Sequence, residues 1–238
     1  MMRFHSACFV VLCWAVICRG QEKCCIKPDM FAVTSGSLVG WHLGEDFGVM
    51  SENIFIVADF TQPRFFYNVT AYVDTNISTT ILMDDYKQNV RWVIDPVGKT
   101  CQKEPLPNEK YKPINRCVPD NAQFLQQVNN PGNVLVNMWY YEYKTESADG
   151  MMSTGVTVDE CLPTGGSFVG KTKNTGEDVY IMEAFGFFNF KALTDVSQYF
   201  KLPSYCDTKF NFVSNSKVMM KTKATEDAKR LVRSRRFL

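Results

Sequence analysis

Histidine is nearly missing from this sequence. Two occur in 238 residues, His5 and His42, and the first lies in an apolar amino-terminal stretch. A single remaining imidazole excludes zinc sites that need several His and leaves one candidate base for a Ser-His-Asp arrangement. No G-x-S-x-G nucleophile motif accompanies it. His42 sits in Gly40-Trp41-His42-Leu43-Gly44 and reads as an ordinary packed or surface residue. Spaced C-x-x-C pairs, internal repeats and a βαβ rhythm are also lacking. No run reaches the about 20 apolar residues needed to span a bilayer. Residues 74–85 lack the Gly and the spacing of an EF-hand loop.

Two motifs remain that could carry chemistry, and both read as coincidence. Gly165-Gly166-Ser167-Phe168-Val169-Gly170-Lys171-Thr172 fits the phosphate-loop pattern. That loop needs a buried strand before it and a helix after it, so that amides and helix dipole face the phosphates. Lys173-Asn174-Thr175-Gly176-Glu177 does not start a long helix. The acidic pairs Asp84-Asp85 and Asp159-Glu160 read as solvated turn tips rather than the paired acids of a glycosidase. The expectation is a protein that binds rather than catalyses.

What is present points outside the cell. Arg3 precedes an apolar run, Cys8 to Ile17, and Cys18-Arg19-Gly20 offers small residues at the positions that precede a cut. Residues 1–20 therefore read as a signal peptide, removed after Gly20. The remaining cysteines are Cys24, Cys25, Cys101, Cys117, Cys161 and Cys206. An even number in an oxidising compartment predicts up to three disulfides. A bridge that closes more than a hundred residues contributes about 4–5 kcal/mol in the chain-entropy model. Two N-glycosylation sequons agree, at Asn68-Val69-Thr70 and Asn76-Ile77-Ser78. On one continuous strand these two asparagines would share a face.

Charge is unevenly placed. The leader carries two positive charges and the segment from Asp207 onward an excess of six, which leaves residues 21–206 at −7 within a net of +1. An acidic body argues against a nucleic-acid surface and is compatible with loose attraction of cations. Apolar residues at 45% suffice for a real core, and 18 Phe with 10 Tyr favour strands.

The pattern predicts strands at 53–60, 65–75, 134–143, 151–158 and 178–190, and a hairpin at 81–95 turning through Asp84 to Asn89. Residues 102–116, rich in Pro and charge, read as a loop. Short helices are expected at Ala122 to Val128 behind Asp120, and within Ala192 to Phe200. After Cys206, Val218, Met219, Ala224, Ala228, Leu231 and Val232 approach helical spacing among basic residues. That reads as a basic tail, 207–238, helical in places. Strands joined by short polar turns suggest a large antiparallel sheet, curled to hide its edges.

The order of several short pieces resembles the ependymin family. The pieces are Cys25-Ile26-Lys27-Pro28, then Ile81 to Lys87 with Val93-Ile94-Asp95 and Lys99-Thr100-Cys101. Val134 to Trp139, Val158 to Pro163, Asp195-Val196-Ser197 and Leu202-Pro203-Ser204-Tyr205-Cys206 follow. The resemblance spans 21–206 as one domain. It implies a mostly β fold: a curved antiparallel half-barrel covered by short helices, like bacterial lipoprotein carriers, with an apolar pocket between them. Trp92, Trp139, Tyr141, Phe185 and Phe187 are the candidates to line it. The resemblance implies a secreted, extracellular glycoprotein that binds a hydrophobic small molecule or lipid. Calcium association, a homodimer and a role in cell–matrix contact go with it. An adhesive or mineral-associated matrix protein without a ligand is the alternative. Carried over by position, Cys25 pairs with Cys161 and Cys101 with Cys206. Cys24 and Cys117 are then left for each other, and the adjacent Cys24 and Cys25 are able to exchange roles.

Overall fold

Eleven strands organise the described chain: β1 Met30–Leu43, β2 Asp46–Asp59, β3 Arg64–Val73, β4 Asn76–Asp85, β5 Val90–Asp95, β6 Thr100–Pro105, β7 Gln123–Asn130, β8 Val134–Lys144, β9 Ala148–Thr157, β10 Pro163–Asn174 and β11 Glu177–Ala192. The computed structural model describes residues 21–73, 75–106, 116–145, 148–174 and 177–206, and of 173, 174 and 177 the backbone alone. Residues 1–20, expected as a signal peptide, residues 207–238, expected as a basic tail, and most of the Pro-rich stretch at 102–116 lie outside the described residues.

All eleven strands join one sheet in the order β6-β5-β4-β3-β2-β1-β11-β10-β9-β8-β7. Within β1–β6 and within β7–β11 consecutive strands pair as antiparallel hairpins, β6 and β7 lie at opposite edges, and β1 joins the two runs by pairing with both β2 and β11. The first and last long strands therefore meet at the middle of the sheet. Alternation then sorts side chains to two faces. In β1 the inner face takes Phe31, Val33, Ser35, Ser37 and Val39, all buried. Among the described residues no second sheet or helix covers that face; the disulfide-tied segments around Ile26 and Val118 pack on part of it, and Val39 and Phe168 are wholly buried. The sheet buries these residues by curling on itself, as open sheets beyond about ten strands do.

Helices do not cover the inner face among the described residues, which corrects the expectation of short helices across the sheet. The helical piece present is one 3-10 turn, Ser197–Phe200. It lies on the outer face, where Val196, Tyr199 and Phe200 pack on Ala32, Val57 and Phe66. Ala122 to Val128 is also not a helix: from Gln123 it is β7, an edge strand paired with β8. Both of its faces are exposed apart from a half-buried Val128, so no period of two marks it in the sequence. Asn130-Pro131-Gly132-Asn133 is the turn into β8. Gly132 at φ 84 meets the left-handed demand of a Pro-Gly turn.

Cysteine pairing differs from the positional expectation in two of three bridges. Cys24 joins Cys161 and Cys25 joins Cys117, while Cys101 joins Cys206 as expected. Cys25 and Cys117 form an isolated antiparallel bridge, flanked by bonds from the Ile26 amide to Arg116 and from the Val118 amide to Cys24. On an extended segment adjacent side chains point to opposite sides. Cys25 thus faces Cys117 across the bridge and Cys24 faces Cys161.

Candidate functional site

The inner face holds two packed clusters with a shallower region between them. At one end Val39, Met50, Met152, Phe168, Val179 and Ile181 are buried together. At the other end Phe31, Val33, Ile56, Ala58 and Phe65 are buried with Ile26. Between them the register aligns Phe187, Ser35 and Ile54 in one row and Phe185, Ser37, Glu52 and Ala71 in the next. The floor is small side chains, Ser35, Ser37 and Ala71, where the flanking clusters have Phe and Met. Ile54, Tyr67, Phe185 and Phe187 rise beside it and are half-buried. Phe185 and Phe187 meet edge to face, with ring centroids 5.7 Å apart. The result is a saddle with aromatic walls and a small, polar floor.

Polar groups also reach this face. Ser37 Oγ donates to Glu52 Oε2 at 3.4 Å, and both residues are buried. Glu183, one row on, is buried as well. Tyr141 stands on the same face; burial first, and the neighbouring Tyr143 second, push its hydroxyl up to about 12. It therefore stays a neutral hydrogen-bond donor across the physiological range. At the β3 side of the face Arg91 donates from Nε and Nη2 to both Asp84 oxygens, at 2.6 and 2.5 Å. Both residues are buried, so this fork fixes the β4–β5 hairpin beside Tyr67.

Of the five lining candidates, four share the inner face and one does not. Tyr141, Phe185 and Phe187 are half-buried there. Trp139 is on the same face but belongs to the core, buried with Val118, Ala122, Val156 and Cys161 beneath the disulfide-tied amino-terminal segment. Trp92 points outward, because its register partner is Met83 rather than Leu82. There it packs near Cys206, with the Lys103 ammonium 5.3 Å from its ring centroid. Tyr67, Ile54 and the Ser35–Ser37 floor are site residues that sequence reasoning missed. A signal for them exists, since residues 31, 33, 35, 37 and 39 alternate inward, but serines at two of these positions dilute the apolar pattern.

The sequons fall on different strands and opposite faces. Asn68 is central in β3, opposite Ile81, with its side-chain oxygen buried. Asn76 opens β4 at a turn and is exposed. The phosphate-loop match lies in β10, whose residues pair with β9 and β11; its amides serve the sheet. His42 is exposed and borders an open depression of ≈ 620 Å³ on the outer face, with Phe47, Tyr180 and Met182. Among the described residues no group of three or more His, Cys, Asp or Glu is placed to hold a metal ion, so no calcium ligand set is drawn from them. Among the same residues no helix is long and apolar enough to cross a membrane.

Comparison with known proteins bears on this architecture. A model of the family described as Ependymin matches residues 74–206. Ependymin-related protein 1 of Haliotis asinina is 28% identical over 135 residues, which is 55% of this chain and 66% of that relative. Ependymin-related protein 2 of the same organism is 26% identical over 132 residues, 54% of this chain and 64% of the relative. The chain thus spans just under two thirds of each. Among solved structures, an uncharacterized conserved protein from Thermus thermophilus aligns with a TM-score of 0.43 at 10% identity, covering 72% of this chain and 86% of the other. A DUF1329 family protein from Desulfovibrio piger aligns at 0.34 and 11% identity, covering 74% and 90%. At these scores nothing is carried over from either structure.

Proposed function

The chain belongs to the ependymin family, and from that premise we propose that it is a secreted glycoprotein that binds an apolar, lipid-like ligand on the inner face of its sheet. It acts by binding and not by catalysis, and its setting is cell–matrix contact. The observation that carries this reading is the saddle: half-buried aromatic walls over a floor of Ser35, Ser37 and Ala71, between two fully packed clusters. Ligand sites are commonly apolar surfaces with a few placed polar groups. Phe185, Phe187, Tyr67 and Ile54 would hold the apolar body. Ser37, Glu52 and the neutral Tyr141 hydroxyl would meet a polar head group. Calcium enters this reading as loose association with the acidic surface and glycans, not as a coordinated ion.

The test is titration of the purified chain with an environment-sensitive fatty-acid probe. Binding is expected to saturate. Ser35→Phe, which fills the floor, should weaken it at least tenfold while circular dichroism shows the variant folded. A probe that binds Ser35→Phe as well as the wild type, or binds neither, would sink the saddle as the site.

A further inference from the structure

The outer face of the same sheet is covered at one end and open at the other. At the covered end Val196 is buried on Ala32 and Val57, and Cys206, pinned to Cys101, packs beside Met83 and Ile94. At the open end the register builds a groove along β1. Val49, Gly40 and Met182 form one row, and Phe47, His42 and Tyr180 the next. Val49 and Phe47 make one wall, Met182 and Tyr180 the other, and Leu38 stands at the end nearer the cover. These five apolar side chains are 57% to 80% exposed. Gly40 leaves the floor low: a Cβ there would meet only the Met182 carbonyl, at 3.8 Å. The walls stand two strand spacings apart, about 10 Å, which is the width of one helix.

The chain that follows Cys206 departs from this same face. Cys101, Ile94, Ile81, Asn68, Phe55 and Thr34 share one row. From Cys101 the groove floor at Gly40 lies five strand spacings across and six residues along. That is a straight path of about 31 Å on a flat sheet, and curling shortens it. Residues 207–217 span about 36 Å when extended, so the chain from Val218 onward reaches the groove. There Met220, Ala224, Ala228 and Leu231 recur at i, i+4, i+8 and i+11, an apolar stripe at helical spacing. Lys217, Lys221, Lys223, Lys229 and Arg230 lie among them, and residues 207–238 carry an excess of six positive charges. The open end of the groove is acidic, with Glu45 and Asp46 exposed at the β1–β2 turn.

We propose that the basic segment 218–232 docks in this groove within its own molecule, its apolar stripe seated on Gly40, Val49 and Met182. Recognition of a helix by a groove uses apolar anchors at this spacing. Three observations favour this occupant: the segment starts from the right face, the preceding chain is long enough, and its charge is opposite to that of the groove end. Attachment to the same chain also raises its effective concentration, so a contact too weak between separate molecules suffices. The outer face is then covered from end to end by residues that follow β11. This inference does not rest on the ligand reading, since it uses the opposite face.

The test is amide hydrogen exchange, read by mass spectrometry, on the full chain expressed through a secretory pathway. Exchange at 218–232 is expected to be at least tenfold slower than in a synthetic peptide of the same residues, since docking protects amides. It should be equally slow at protein concentrations of about 1 and 100 µM, as a contact within one molecule is independent of concentration. Gly40→Leu, which fills the floor, should return exchange to the peptide rate while circular dichroism shows the sheet folded. Met220→Asp combined with Leu231→Asp should do the same from the other partner and leaves the sheet untouched. Wild-type exchange at the peptide rate overturns the proposal. So does protection that survives either change in a folded chain, or that grows between the two concentrations and so places the segment on a second copy. Protection that appears only with phosphatidylserine vesicles, or only with a sulfated polysaccharide, would assign the segment to that partner and also overturn it.

Discussion

Phe168 and Val169 are neighbours in β10, and they live in different environments. Phe168 is fully buried on the inner face, and Val169 is 54% exposed on the outer one. Strand alternation alone separates them. The comparison of the two faces shows what curling does to a single sheet without a covering helical layer. One face becomes its own core, interrupted by the saddle. The other needs a cover, which residues 193–206 supply at one end only.

The largest expected effect tests that asymmetry directly. Phe168→Ala should cost about 3–5 kcal/mol, the range for truncating a buried aromatic. Val169→Lys should stay within about 0.5 kcal/mol, as exposed substitutions do. Denaturant unfolding of the two variants checks both, and similar losses at the two positions would break the comparison.

Next in size is the bridge that holds the outer cover. Replacing Cys101 and Cys206 together by Ser should cost about 2–4 kcal/mol. It should also speed hydrogen exchange at residues 193–206 more than at β9 or β10. Uniform exchange across the sheet would show that the cover is not held locally by this bond.

A smaller effect concerns acid. Asp59, at the covered end of the outer face, is buried, which by itself raises its carboxyl. Bonds from Thr61, Arg64 and the Gln62 amide outweigh burial and hold it below the ordinary aspartate value. A carboxylate held low in the folded state stabilises the fold above its unfolded value, and that contribution is lost as pH falls through the folded one. Unfolding free energy of the wild type should therefore drop as pH falls below about 4. Asp59→Asn should be less stable at neutral pH and show a shallower acid slope; an unchanged slope would remove Asp59 from the account.

The smallest effect on stability, though easy to read by mass, separates the sequons. Asn76→Gln should remove a glycan from the chain expressed through a secretory pathway, because Asn76 is exposed at a turn. Asn68→Gln should change the glycan mass little, because Asn68 is central in a strand paired on both sides. The reverse pattern would contradict the placement of these residues.

Much of this architecture is legible in the sequence, for physical reasons that vary by element. The β4–β5 hairpin is readable because apolar arms flank a polar turn, and β8 because aromatic and β-branched residues run through it. The middle strand, β1, is not. Its inward Ser35 and Ser37 and outward Gly36 and Gly40 look like a loop, although the two serines make the saddle floor. The β7 edge passes for a helix because exposure on both faces erases the period of two. The cysteine pairs are half legible: the count implies three bridges, but which of two adjacent thiols faces which partner depends on a local bridge between Cys25 and Cys117. Four of the five chosen aromatics fall on the inner face, and Trp92 does not because strand parity is set by the hairpin turn.

The central claim is that the inner face carries an apolar ligand. Native mass spectrometry of the full chain, expressed through a secretory pathway, purified without detergent and enzymatically deglycosylated, tests it most directly. The account predicts adducts in the mass range of lipids, lost on solvent extraction and strongly reduced in Ser35→Phe. A chain that is always empty, and that takes up no fatty acid or phospholipid when these are added, would contradict it.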